Sequence, residues 1–319
     1  MAGGREERRS RHARLLAVAE VLSASLNGPS SQRLAELVET GALEAGALEA
    51  GALAGGALAG GAVRADDAAW LAGGLASATD ERIRFWEAEL DRLAERGVWM
   101  LDAADEDYPA NLRMIHNRPP FLMGRGALVH EDERAVAVVG TRRPSDEGRA
   151  AAYELARELA GGHVTVVSGL AEGIDTAAHS GALSARGRTI AVFGTGIDVV
   201  YPARNRALAA AVARSGACVS QFWPSMRGAR WTFPVRNLVT SGLSLGTVVV
   251  EAGETSGARL QAEAALRHGK RVFLLDRLVR SQQWARDIAA RPDVLAVDSV
   301  DQIVSAVEVD LMTDTALLA

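Results

Sequence analysis

The sequence has 319 residues, of which 48% are hydrophobic and 24% charged, with a formal net charge of −5. Those totals are ordinary for a soluble globular protein; they exclude a surface coated in positive charge but not a local basic groove. One cysteine excludes a disulfide framework and argues against a cysteine-held zinc site, and no apolar run approaches the roughly 20 residues of a membrane span.

The charged start, Met1 to Arg14, lacks signal-peptide character, so a cytoplasmic protein free of the membrane is expected. Residues 1–66 are rich in Ala, Leu and Glu, with helical spacing over 14–25 and 32–39. Between 41 and 60 the units GALEA, GALEA, GALAG, GALAG follow one another. That period fits neither a solenoid nor a heptad and reads as a flexible insertion, the alternative being a partner-binding helix. Residues 67–107 form a lead-in. Over 66–97 Trp70, Leu71, Leu75, Ile83, Trp86, Leu90 and Leu93 make an apolar helical stripe, and Val98-Trp99-Met100-Leu101 reads as a short strand.

Residues 108–308 form the main domain, followed by a tail at 309–319. From residue 135 short apolar runs (135–140, 163–169, 189–194, 217–221, 246–253, 271–275) alternate with helical stretches near 146–160, 173–186, 203–215, 256–268 and 281–290. The pattern predicts an α/β fold, Rossmann-like, with a mostly parallel sheet covered by helices on both faces. Cys218 falls inside one such run and reads as a buried small hydrophobe.

Three predicted strands end in glycine turns: Gly140-Thr141-Arg142-Arg143, Ser168-Gly169 through Gly173, and Gly194-Thr195-Gly196. Glycine lets backbone N–H groups approach a phosphate, and the helix that follows adds partial positive charge. Three such turns at one sheet edge favour a ligand crevice. Neither the dinucleotide fingerprint nor the P-loop is present. The stretch 222–237 reads as a loop that interleaves Phe222, Trp223, Trp231 and Phe233 with Arg227, Arg230 and Arg236. Aromatic faces stack bases while arginines track a phosphate backbone; otherwise the aromatics pin the loop, with Trp223 and Phe233 the expected structural pair. Asp175 and His179 lie four apart and read as a hydrogen-bonded pair that fixes their helix against the neighbouring loop, the alternative being a catalytic or metal dyad. Glu251, ending a strand at the same edge, is either a general base or an acceptor for loop N–H groups.

The ordered motifs Tyr108-Pro109…Leu112…Ile115, GTRR (140–143), SGLAEGIDTAAHSGAL (168–183), GTGIDVVYPARN (194–205), FPVRN (233–237), SGLSLGTVVVEAGETSG (241–257) and AEAALRHGKRVFLL (262–275) resemble the DNA-processing protein A family, also called Smf. The resemblance implies an extended Rossmann domain that binds single-stranded DNA, forms a homodimer and loads RecA recombinase during natural transformation, with no catalysis, cofactor or metal. It carries Arg142, Arg236, Asn237, Ser168, Gly169, Gly173 and Gly194 onto the DNA crevice. Together with the turns and the aromatic stretch, the expected phosphate- and DNA-binding set is completed by Gly140, Thr141, Arg143, Gly196, Arg230, Trp231, Phe233, Ser256 and Gly257. Leu238 stands where the family usually has a second arginine, and Glu172 where a basic residue is common. Ser256 to Ala262 departs from the family's pattern, with Arg259 expected to return one charge. No room is expected after about 308 for the winged helix of some members.

Two other readings compete. Related folds of the lysine-decarboxylase-like group hydrolyse nucleoside monophosphates with an arginine–glutamate pair, for which Arg236 and Glu251 are candidates. The crevice is otherwise a nucleotide sensor of a defence system.

Overall fold

The computed structural model describes residues 2–21, 29–39, 74 and 77–318. The repeat at 41–60 and the apolar positions Trp70, Leu71 and Leu75 lie outside the described residues. The chain divides into two compact units, Met1–Tyr108 with Asn117–Met123, and Pro109–His116 with Gly124–Ala319. Among the described residues no helix is long and apolar enough to cross a membrane.

The first unit contains α1 (Ala2–Val21), α2 (Pro29–Glu39), α3 (Asp80–Glu95) and β1 (Trp99–Asp102). Helix α3 begins where the Thr79 hydroxyl accepts the Arg82 amide, with Asp80 and Glu81 in its first turn, both favourable at a helix start. It buries Trp86 and Leu93, two members of the predicted stripe. Helix α1 buries Leu15, Leu16 and Val18 and is tied down by charge. Arg11 Nε donates to Asp102 Oδ2 at 2.7 Å, and His12 Nε2 lies 2.8 Å from Asp105 Oδ2. Burial pushes the Asp105 carboxyl up, but the His12 hydrogen bond and charge outweigh it, and the carboxyl titrates below its ordinary range. Buried carboxylates persist when their charge is met this way.

The second unit holds seven parallel strands, β3 (Ala135–Val139), β4 (Thr165–Ser168), β5 (Thr189–Val192), β6 (Ala217–Ser220), β7 (Gly246–Val249), β8 (Arg271–Leu275) and β9 (Val294–Val297). Their spatial order is β6-β5-β4-β3-β7-β8-β9. The chain therefore winds outward from β3 in one direction and from β7 in the other, and the winding reverses between these two neighbours. Helices α5 (Asp146–Gly161), α6 (Ile174–Ser184), α7 (Arg206–Ser215), α8 (Thr232–Gly242), α9 (Gly257–Arg267), α10 (Asp276–Ser281), α11 (Gln283–Ala289) and α12 (Val300–Leu318) accompany the strands, after a one-turn α4 (Ala110–Arg113).

Both faces of the sheet are covered, which is why its strands read as continuous apolar runs. Val136, Val138, Val248 and Phe273 pack with residues of α5, α6 and α12. The alternate positions Val139, Val249, Val272 and Leu274 pack on the other face with α9, α10 and α11. Cys218 is buried in β6, and burial pushes its thiol up to about 12.

Four features depart from the sequence expectation. Strand β9 and the strand β2 (Phe121–Gly126) were not predicted: β9, at the sheet edge, leaves Ala296 exposed and so breaks the apolar run, and the run FLMGRG is broken by glycine. The helix expected at 281–290 corresponds to α11, and α10 ahead of it was not predicted. Helix α8 begins inside the stretch read as a loop. Pro234 is its third residue, a first-turn position where the missing N–H removes no intrahelical bond. At the other end, Lys270 Nζ lies 2.7 Å from Gly242 O, 2.7 Å from Ser244 O and 3.0 Å from Ser241 O. The lone lysine thus caps α8 and is spent on structure.

Candidate nucleic-acid interface

The switch in winding places the carboxyl ends of β3, β4 and β7 side by side, where ligands gather in folds of this kind. A cleft of about 430 Å³ opens there. Residues Val139 to Arg143 after β3, Gly169 and Ala171 after β4, Phe233 to Asn237 on α8 and Gly253 to Gln261 ahead of and along α9 supply most of its wall.

At the floor lies Arg236, 8% exposed. Its Nη1 donates to Gly169 O at 2.7 Å and to Val192 O at 2.8 Å, and Nε donates to Asn237 Oδ1 at 3.1 Å. The guanidinium thereby joins the ends of β4 and β5, while Nη2 has no acceptor among the described residues and remains for a ligand. A Cβ on Gly169 would come within 1.9 Å of Nη1, so glycine is required by this approach. Asp175 accepts the Gly169 and Ala171 amides at 3.1 and 3.2 Å. Burial pushes its carboxyl up, and attraction to Arg236 opposes that; burial likewise lowers Arg236, opposed by Asp175.

The turn after β3 carries the accessible charge. Arg142 and Arg143 are exposed and pair with no carboxylate among the described residues. Arg142 lies over the Phe233 ring, 5.3 Å from its centroid, within cation–π range, and Tyr201 flanks the same ring at 5.7 Å. A smaller recess of about 30 Å³ on that side shares Arg142, Phe233 and Arg236 with the main cleft. Gly173, at φ +81°, carries the chain where a Cβ would strike Thr141 O at 2.4 Å; the glycine turns after β3 and β4 interlock.

The backbone of these turns is less available than the glycine pattern implies. The Thr141 amide donates to Glu251 O, the Gly169 amide to Asp175, and the Gly196 amide to Met226 O. Ser168 is buried, its hydroxyl donating to Val138 O at 2.7 Å. Gly194 accommodates the Phe233 ring and Gly196 the carbonyls of Trp223 and Pro224. The first turn of α9 contributes the Ser256 cap, which accepts the Ala258 amide at 3.2 Å, and the exposed Gly257. Arg230 and Trp231 are exposed, Trp231 meeting buried Phe222 edge-to-face at 5.8 Å. Thus Phe222 anchors Trp231, and Phe233 lines the cleft.

Several side chains have roles other than those expected. Glu251 is an acceptor: Oε1 takes the Ser145 amide at 3.0 Å and Oε2 the Ser145 hydroxyl at 2.6 Å. Asp175 and His179 do not bond to each other. His179 Nδ1 lies 2.8 Å from Thr189 Oγ1, and burial holds its ring neutral, at about 3. Arg259 returns no free charge, because Glu254 and Glu263 bind it. The charge of Glu172 is met by Arg204 at 3.3 Å. Sequence reading missed Gln261, Leu260 and Thr240 in the cleft wall; no motif marks them, since only the packing of α8 and α9 brings them there.

The chain is 38% identical over 190 residues to Protein Smf of Synechocystis, covering 58% of this chain and 48% of that protein. It is 37% identical over 202 residues to DNA processing protein DprA of Streptococcus pneumoniae, covering 60% and 71%. It thus spans about half the length of the first relative. Among solved structures, DNA processing protein A of S. pneumoniae superposes with a TM-score of 0.63 at 27% identity, covering 86% of this chain and 97% of that one. The protein of that name from Helicobacter pylori, described for its single-stranded DNA binding mode, shares the fold, with a TM-score of 0.59 at 24% identity and coverage of 67% and 96%. Residues 99–306 match the family described as DNA recombination-mediator protein A, and the chain belongs to that family.

Proposed function

We propose that the cleft binds single-stranded DNA, as a non-catalytic site. The observation that carries this is Arg142, exposed, unpaired by any described carboxylate and lying over Phe233, in the cleft whose lining also includes Arg236 with its free Nη2. A cation and an aromatic face at one rim suit a phosphate and the base attached to it. Arg143 also lines the cleft, and Ser256 and Gly257 supply a helix start in its lining; the exposed Arg230 and Trp231, outside that lining, are proposed as further contacts for the strand. Family membership and the DNA binding reported for the Helicobacter protein support the same reading. Handing of the strand to RecA recombinase, protection of incoming DNA in transformation, and homodimerisation rest on family membership alone. Fluorescence anisotropy at low salt tests the core of the proposal: binding should fall steeply with salt as counterions are released, and a purified protein that binds no oligonucleotide would end it.

The hydrolase reading loses its pair. Glu251 is committed to Ser145 and Arg236 to two carbonyls, and the two side chains form no ion pair among the described residues. The sensor reading keeps one supporting fact, that about 430 Å³ lies within the range of small-ligand sites. Thermal-shift measurements with mononucleotides and oligonucleotides side by side separate the two, because the better ligand raises the melting temperature more.

A further inference from the structure

The wall of the cleft contains a buried amide with no hydrogen-bonding role among the described residues. Gln261 lines the cleft and is 2% exposed. Neither its side-chain nitrogen nor its oxygen has a hydrogen-bond partner among the described residues. Leaving a buried donor or acceptor unpaired costs about 1–3 kcal/mol, whereas leucine would fill a similar volume without that cost. The residue sits one turn into α9, an eleven-residue helix. The amide of Gly257, at the start of that helix, has no acceptor among the described residues. Leu260, 49% exposed, also lines the cleft.

Resting on the single-strand reading of this cleft, the geometry points to Gln261 as the residue that recognises the edge of one base. A carboxamide presents a donor and an acceptor side by side, and adenine presents the complement, its N6 amino group beside a ring nitrogen. The phosphate of that nucleotide falls to the cations of the cleft, Arg142 and Arg236, or to the α9 start; Leu260 offers an apolar contact to the base plane. Because the amide is enclosed in the free protein, a rotation of the Gln261 or Leu260 side chain accompanies binding, and the unpaired amide gains its partners at that moment. The result is a base preference superimposed on sequence-tolerant phosphate binding.

The test compares an adenine-containing oligonucleotide with one in which purine, lacking the 6-amino group, replaces the adenines. The wild type should bind the purine strand about tenfold more weakly, the lower part of the range for one bidentate contact. Gln261→Leu and Gln261→Met should bind both strands alike, with an unchanged salt slope and a melting temperature no lower than wild type. A wild type that binds both strands equally, or variants that keep the discrimination, would overturn the inference while leaving single-strand binding intact. A wild type that binds neither strand overturns both.

Discussion

Arg236 and Gly169 fix each other: the guanidinium donates to the Gly169 carbonyl at 2.7 Å and occupies the space a Cβ on that glycine would need. Gly169→Ala is therefore a steric test that leaves every charge in place. The methyl group must displace Nη1 from two buried carbonyls, and each acceptor left unpaired costs about 1–3 kcal/mol. The variant should melt at a lower temperature than wild type and bind single-stranded DNA more weakly. An unchanged melting temperature would show that the floor of the cleft is looser than this geometry.

Arg142 and Arg236 should respond differently to removal, although both come from motifs of the same family. Arg142→Ala deletes an exposed charge and should leave the melting temperature close to wild type. It should weaken binding of all sequences alike and reduce the salt slope by about one. Arg236→Ala removes the bridge between β4 and β5, leaving the Gly169 and Val192 carbonyls without their donor at about 1–3 kcal/mol each, and takes away the charge whose attraction opposes the burial of Asp175. Denaturant unfolding of the two variants together with binding isotherms distinguishes them; equal stability losses would contradict the assignment of Arg236 as both floor and brace.

The parallel sheet, its helices and the glycine turns were legible because doubly covered strands leave unbroken apolar runs, as in AVAVV at 135–139. The interlock of Gly173 with Thr141 was not, since it depends on two loops meeting across the sheet edge. The loop read at 222–237 failed at Thr232, where a proline in a first helical turn looks the same in sequence as a proline in a loop. Arg142, Phe233 and Arg236 were all visible as residue types, but their division into rim and floor was set by the direction in which α8 enters. Gln261 was invisible, because a glutamine on an amphipathic helix ordinarily faces water.

Lys270 makes a separate prediction far from any ligand. Its ammonium lies within 3.0 Å of three carbonyls at the end of α8, where a cation is favoured by the unsatisfied carbonyls and by the helix dipole. Lys270→Met keeps the aliphatic stem and removes the three donors. Stability should fall by at least about 1.5–3 kcal/mol, the range for a single hydrogen bond to a charged group, while the DNA affinity of the folded protein stays the same. Urea titration gives the first quantity and anisotropy the second. A loss of affinity without a loss of stability would mean that the lysine serves the ligand instead.

His268 provides a pH signature. Burial, then the neighbouring charge of Lys270, lowers its ring to about 4, and its Nδ1 lies 3.0 Å from Ser241 Oγ. In the unfolded chain the same ring titrates near 6.5. Between those values the unfolded state binds a proton that the native state refuses, so this contribution to stability is present above about 6.5 and is lost as the pH falls toward 4. His179, held at about 3, acts in the same direction, while Asp175, pushed up by burial, acts in the opposite one. The contribution of His268 is isolated by difference. Lowering the pH from about 7.5 to about 5 should reduce the stability of the wild type more than that of His268→Gln, which has no ring to protonate. Equal losses in the two proteins would show that His268 accepts its proton in the folded state, contrary to its burial beside Lys270.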